Sequence, residues 1–173
     1  RADFAVSTLY ALFENKEDLY RRVSVDIGRR TGQIFEAAMA RGTNPHEKLV
    51  LYARAKGEAF RESPAGVKML EHELHAMHLE GEAGFPKNGI GRIYAKFMQQ
   101  IESLFREGVE RGLFISGDPA LMAMALDAST NALMSLAQSN PTKFSYDERV
   151  NEVIDLFFKP VLAKAPGKKQ KEA

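Results

Sequence analysis

Histidines and carboxylates crowd one short segment. Residues 71–78 read EHELHAMH, with histidines at 72, 75 and 78. A zincin-type helix needs two histidines four positions apart around a glutamate, so that both imidazoles reach one ion. When histidines are three positions apart in a helix, successive side chains point about 60° away from each other around the axis. These imidazoles therefore diverge. We expect no metal site, and we keep only His78, which borders an apolar face, as a group that could hydrogen-bond a ligand.

A second set of reactive groups lies near the start of the chain. Ser7, Thr8 and Tyr10 carry hydroxyl groups on the outward face of a short helix predicted at 6–13, and Lys16 opens the next helix. Hydroxyl groups and an ammonium beside a helix N-terminus suit contacts with phosphate or base edges. A helix of eight residues is marginal alone and persists when neighbours hold it, as in helix-turn-helix proteins. The alternative is a corner of a bundle that binds no nucleic acid.

The composition excludes several classes of protein. The 173 residues include no cysteine, which rules out disulfides, thiolate zinc sites and cysteine nucleophiles. Gly89-Ile-Gly91 lacks the third glycine and the preceding strand of a dinucleotide loop. No Ser/His/Asp arrangement suggests a nucleophile, so we predict no enzyme and no cofactor. Because the net charge is +1 and lysines concentrate in a basic tail at 164–173, DNA binding would need a small local surface.

The elements that must position these groups are helices. Apolar residues recur with a period near 3.6, and we find neither sustained alternation nor a hairpin dipeptide. Asparagine, serine and aspartate caps, several followed by proline, mark the helix starts, and glycines mark the ends. The prediction is an all-α fold, and no apolar run approaches the ~20 residues of a membrane span. The predicted helices are 6–13, 16–41, 45–62, 64–80, 88–111, 118–139 and 146–163.

The helix at 118–139 is apolar around most of its circumference. Such a helix must be buried on nearly every side, and packing against a second subunit is one way to achieve this. A central helix of a monomeric bundle is the alternative. We favour a homodimer. The candidate interface residues on this helix and the next are Leu121, Met122, Ala125, Leu133, Leu136, Val150, Ile154, Phe157 and Phe158.

Methionine and aromatic residues dominate the predicted inward stripes. Plain core packing explains most of them, but such side chains also adapt to an irregular apolar cavity. The candidate lining residues are Phe60, Met69, Met77, His78, Tyr94, Phe97, Met98 and Asn131. Asp127, Asn131 and Gln138 fall near one line of the apolar helix, where they either line the cavity or meet water.

The segment AVSTLYALFENKEDL, residues 5–19, resembles the end of the DNA-binding domain of TetR-family transcriptional regulators. In that family a T-L-Y-x-x-F-x-x-K-x-x-L pattern covers the recognition helix and the start of the following helix, and every fixed position matches here. The resemblance implies phosphate contacts for Thr8, Tyr10 and Lys16. It places Ala5, Val6 and Ser7 where the family approaches bases. Ala5 and Val6 depart from the polar residue and lysine common there, and could contact a thymine methyl group.

The resemblance also implies an architecture and a function. Residues 1–22 would be the remnant of a helix-turn-helix domain, 23–163 a helical ligand-binding and dimerisation domain, and 164–173 a mobile basic tail. Since Arg1 lies inside what reads as structured sequence, we expect further residues upstream. The implied protein is a cytoplasmic, homodimeric repressor that binds double-stranded operator DNA. A small hydrophobic effector would release it from the DNA, and no membrane partner is expected. The alternative is a helical ligand carrier or interaction module without DNA binding.

Overall fold

The protein is described by a computed structural model at residues 12–79 and 89–162, with the side chains of 74–79 left out. These ranges form six helices: α1 Lys16–Met39, α2 Pro45–Glu62, α3 Pro64–Leu79, α4 Gly89–Glu110, α5 Pro119–Ser139 and α6 Tyr146–Val161. All six were predicted, with ends displaced by no more than two residues. The predicted helix 6–13 lies outside the described residues, apart from its last two positions. Within the described ranges there is no strand, only an isolated bridge between Phe114 and Leu162. The all-α prediction is confirmed.

Side-chain caps account for three of the helix starts. The Asn15 side chain accepts the Asp18 backbone N–H at 2.8 Å, and Asn44 does the same for Glu47 at 3.0 Å. Asp118 accepts two backbone N–H groups of the first turn of α5. These contacts satisfy donors that the helix itself leaves unpaired. Ser145, a serine cap of the kind that the sequence predicts, is the N-cap of α6, but its side chain makes no capping hydrogen bond.

The described chain divides into two compact units. The first contains residues 12–37, 58–79 and 89–97, and the second contains residues 38–57 and 98–162. Close helix contact in the first unit depends on a glycine. Gly28 of α1 is buried and has no side chain, so Ile90 of α4 packs directly against the α1 backbone. Phe35 of α1 and Phe97 of α4 pack with ring centroids 5.2 Å apart.

The core of the second unit is rich in aromatic rings. Phe105 and Phe158 are both buried, and their rings stack 6.3 Å apart. His46, in the first turn of α2, lies edge-on to Phe158 with centroids 4.8 Å apart. Burial lowers the pKa of the His46 imidazole, because the charged form would lose its hydration. A neutral imidazole at this place avoids a cation beside the positive end of the helix dipole.

Helix α5 presents two apolar faces, and the structure buries only one of them. The inner face carries Ala123, Leu126, Leu133, Met134 and Ala137, all buried within the chain. The opposite face includes Leu121 and Met124, which are 66% and 61% exposed. The expectation that this helix is buried on nearly every side is therefore not met within one chain.

The same helix departs from the prediction that no apolar segment approaches the length of a membrane span. Among the described residues, α5 is the one helix long and apolar enough to cross a membrane by length and composition. Its inner face, however, is packed in the core of the second unit and includes the buried carboxylate of Asp127. We interpret α5 as a core helix with one uncovered apolar face.

Candidate functional site

The first turn of α1 presents Lys16 to solvent. Asn15 caps this turn, and Lys16 is exposed at its first position. The family resemblance places a phosphate contact at this lysine, and a helix N-terminus favours anions. The other predicted DNA-contacting residues lie outside the described residues: Ala5, Val6, Ser7, Thr8 and Tyr10. Their role stays a prediction.

The Asp18 carboxylate connects the first two turns of α1 by hydrogen bonds. Its oxygens accept hydrogen bonds from Arg21 at 2.6 Å and from Arg22 at 3.1 Å, and its side chain is buried. The hydrogen bond from Arg22, followed by that from Arg21, lowers the pKa of the Asp18 carboxyl group. Arg22 also lies over the Phe13 ring, 5.6 Å from its centroid. Asp18 therefore links the residues before α1 to the body of the helix.

A cleft of about 570 Å³ adjoins the same turn. Residues of the cap and first two turns of α1 line it, together with Glu73 of α3 and the first two residues of α4. The charged groups of the cleft wall are four carboxylates and two cations: Glu14, Glu17, Asp18, Glu73, Lys16 and Arg21. A wall of mixed charge does not form an anion site by itself, so we assign the candidate phosphate contact to exposed Lys16 alone.

A buried polar cluster joins α2 to α5 in the second unit. The Lys56 ammonium group donates to Asp127 Oδ1 at 2.6 Å, to Thr130 Oγ1 at 2.8 Å and to Asn131 Oδ1 at 2.6 Å. The Tyr52 hydroxyl group donates to the same Asp127 oxygen at 2.5 Å. The side chains of Lys56 and Asp127 are 7% and 6% exposed. Two opposite charges are therefore held in the core by a full set of hydrogen bonds, as buried charges require.

Sequence reasoning singled out two of the five residues in this cluster. It expected Asp127 and Asn131 to line a cavity or to meet water, and the structure instead gives both a buried partner. It missed Thr130 on the same helix, and Tyr52 and Lys56, which lie four positions apart on α2. The signal in the sequence was that Lys56 lies among the small residues Ala53, Ala55 and Gly57. The structure buries all three.

The structure divides the predicted dimer residues into two groups. Leu121, Ala125 and Leu136 are exposed on α5, and Met122 and Phe157 are half-buried. The remaining four are buried in the core of their own unit: Leu133, Val150, Ile154 and Phe158. Because a side chain already packed inside its own chain offers no surface to a second copy, we remove these four from the candidate interface. On α6 the outward apolar residue is instead Leu156, which is 77% exposed.

The predicted effector-lining residues belong to both units. Phe60, Met69, Tyr94 and Phe97 are half-buried in the first unit, and Met98 is half-buried in the second. Asn131, also in the second unit, is a member of the polar cluster. The side chains of Met77 and His78 lie outside the described residues.

Comparison of the structure with solved proteins identifies the fold. A fatty acid metabolism regulator of Clostridium perfringens matches with a TM-score of 0.70 at 20% identity, over 94% of this chain and 85% of that chain. FadR of Bacillus subtilis, solved with stearoyl-CoA, matches with a TM-score of 0.65 at 20% identity, over 90% and 82%. The MbdR regulator of Azoarcus sp. CIB matches with a TM-score of 0.71 at 16% identity, over 88% and 80%. The fold is that of TetR-like transcriptional regulators.

Structural comparison recognises the TetR-like fold, whereas comparison of the whole sequence does not. No protein-family model matches the sequence, and no curated protein does. At identities of 16–20% few side chains are shared with the solved regulators. The functional features of this chain are therefore those of its own residues: exposed Lys16, the outer face of α5 and the buried Lys56 cluster.

Proposed function

We propose that the protein is a ligand-responsive transcriptional repressor that binds a palindromic DNA operator as a homodimer. The observation that carries the proposal is at the start of α1. The pattern that resembles the TetR-family DNA-binding domain runs through residues 8–19 and ends inside a helix whose first turn is capped and exposes Lys16. The TetR-like fold of the described chain gives this short motif the structural context that it requires.

The outer face of α5 supports the homodimer. It alternates the large apolar residues Leu121, Met124 and Leu136 with Ala125, Ala128 and Ala132, and all six are exposed. Small residues allow the backbone of a second helix to approach closely, while large ones supply apolar area that leaves water on contact. A twofold dimer presents the same patch from each copy, so a self-complementary face of this kind suits a second copy of the chain. Leu156 of α6 is a further exposed apolar residue.

The proposed effector is a small molecule with a long apolar part. Half-buried aromatic and methionine side chains on α2, α3 and α4 support this choice. Two of the structural matches are described as regulators of fatty acid metabolism or degradation, and a third, FadR of Bacillus subtilis, was solved with stearoyl-CoA. We therefore propose fatty acids or their thioesters as the first effectors to test. We also propose that the protein acts in the cytoplasm as a regulator and not as an enzyme.

The test uses the full natural chain, including any residues upstream of Arg1. Fragmented genomic DNA of the host would be passed over the immobilised protein, and retained fragments would be sequenced and measured by gel shift. We expect enrichment of fragments that contain an inverted repeat, and their release by a long-chain acyl-CoA. Lack of enrichment at low salt would contradict DNA binding. If the same protein still bound acyl-CoA, the function would be that of the alternative, a helical ligand carrier.

A further inference from the structure

Apolar packing alone distinguishes poorly between the possible placements of α5. Its inner and outer faces are built from the same residue types: alanine, leucine and methionine. The hydrophobic effect is non-directional and depends on the area that leaves water. A rotation of α5, or a slide along its axis, would exchange one set of these residues for a similar set. Something other than apolar area must decide which face turns inward.

The polar side chains of α5 are the feature that differs between its two faces. Asp127, Thr130 and Asn131 are spaced at i, i+3 and i+4, so they lie on one side of the helix. All three accept hydrogen bonds from the Lys56 ammonium group. An ammonium group has three donors, so this arrangement provides one acceptor for each of them.

The opposite helix matches this spacing. Tyr52 and Lys56 lie one turn apart on α2, and both donate to Asp127 Oδ1. The Lys56 ammonium group also lies 5.2 Å from the centroid of the Tyr52 ring. A slide of α5 by one turn moves Asp127 by about 5.4 Å, which separates the carboxylate from both donors. A buried charge without its partner is strongly unfavourable, so such a register is excluded.

We infer that the buried Lys56–Asp127 pair sets the register and rotation of α5 against α2, and so decides which apolar face of α5 is left uncovered. The pair acts by penalising wrong placements rather than by adding much stability to the right one. When the charges at both positions are removed together, the chain then still folds, but α5 adopts more than one register or rotation against α2. This inference concerns contacts within one chain and is independent of DNA binding.

The test measures the placement of α5 directly. Because the chain contains no cysteine, R54C and S139C place spin labels on α2 and at the end of α5, both at exposed positions. Distances between the labels are measured by pulsed dipolar spectroscopy, with labelled chains diluted into unlabelled protein to suppress distances between copies. The test background carries Y52F, K56M and D127L, which removes the pair together with the second donor to Asp127.

We expect one narrow distance in the protein that retains the pair. In the triple variant we expect an unchanged or higher urea midpoint, together with a second distance displaced by up to about 5 Å, the rise of one helical turn. The matched control replaces two fully buried leucines, with L49M and L126M, and leaves the pair intact. It should keep the single narrow distance.

Two results would overturn the inference. A triple variant with the same single distance as the parent would show that apolar packing fixes the placement of α5 without the pair. A triple variant that no longer folds would show that the pair supplies stability itself and does not only select the register. The oligomeric state, measured separately by light scattering, affects neither conclusion.

Discussion

The Tyr146 hydroxyl group donates a hydrogen bond of 2.6 Å to the backbone carbonyl of Ala53, joining the start of α6 to the middle of α2. Both residues are buried. Gly57, one turn further along α2, makes room for this contact, because a Cβ atom there would lie 2.8 Å from the Tyr146 ring.

We predict that Tyr146→Phe lowers the free energy of unfolding by about 1–2 kcal/mol, the usual loss for a buried hydrogen bond. Urea denaturation measures this, with Tyr20→Phe as the control, because the hydrogen bond of Tyr20 with Glu73 lies at a more exposed site and should contribute less.

The same tyrosine gives a prediction about alkaline pH. Burial, with the nearby Asp127 and Asp147 carboxylates, raises the pKa of Tyr146 far above its ordinary value of 10.0. The folded state therefore holds this proton more tightly than the unfolded state. Its contribution to stability is complete below pH ~10 and declines as the pH rises further. We expect the urea midpoint of the parent protein to fall more steeply between pH 9 and 11 than that of Tyr146→Phe. Equal slopes would contradict the prediction.

Acid pH acts on the start of α1. Hydrogen bonds from Arg22 and Arg21 lower the pKa of Asp18, so the folded state releases this proton more readily than the unfolded state. The resulting stabilisation is present above the ordinary aspartate pKa of 3.8 and is lost as the pH falls through the lowered value. We predict that Asp18→Asn increases amide hydrogen exchange in residues 15–22 at pH 6, and that this difference narrows towards pH 3. Asp26→Asn, at an exposed ion pair of the same helix, is the control.

Self-association should depend on the outer face of α5. Met124→Glu places a charge at the centre of the proposed apolar interface, where burial of an unpaired carboxylate is costly. We expect light scattering to show half the mass of the parent protein, with an unchanged helical circular dichroism spectrum. Val23→Glu introduces the same charge at an exposed apolar position of α1 and should leave the mass unchanged. A parent protein that is monomeric at tens of micromolar would remove the homodimer from the proposed function.

DNA affinity should depend on Lys16 through charge alone. In the complete protein we predict that Lys16→Ala weakens binding of every DNA sequence by a similar factor. It should also reduce the slope of log affinity against log salt by about 1, because one phosphate contact is lost. Lys68→Ala removes an exposed lysine of α3 and should leave the slope unchanged. Salt-titrated fluorescence anisotropy distinguishes this effect from misfolding, which would abolish binding at every salt concentration.

The sequence by itself determined the helices of the described chain. Local signals define these elements: the caps at Asn15, Asn44 and Asp118 lie within their own first turns, and apolar residues recur with the helical period. The motif that ends at residue 19 also identified the TetR-like fold from a dozen positions. Both kinds of information involve residues close together along the chain, so they can be read without coordinates.

Only the tertiary structure decided which faces meet. Lys56 and Asp127 are 71 positions apart, and neither helix indicates by itself that the other supplies its partner. The apolar periodicity of α6 marked Val150, Ile154 and Phe158 correctly as a face to be buried, but not whether its own chain or a second copy buries it. The physical reason is that apolar burial is non-directional, so a hydrophobic face specifies that it leaves water and not what covers it. Specific partners depend on polar groups brought together by the folded chain, and these distances exist only in three dimensions.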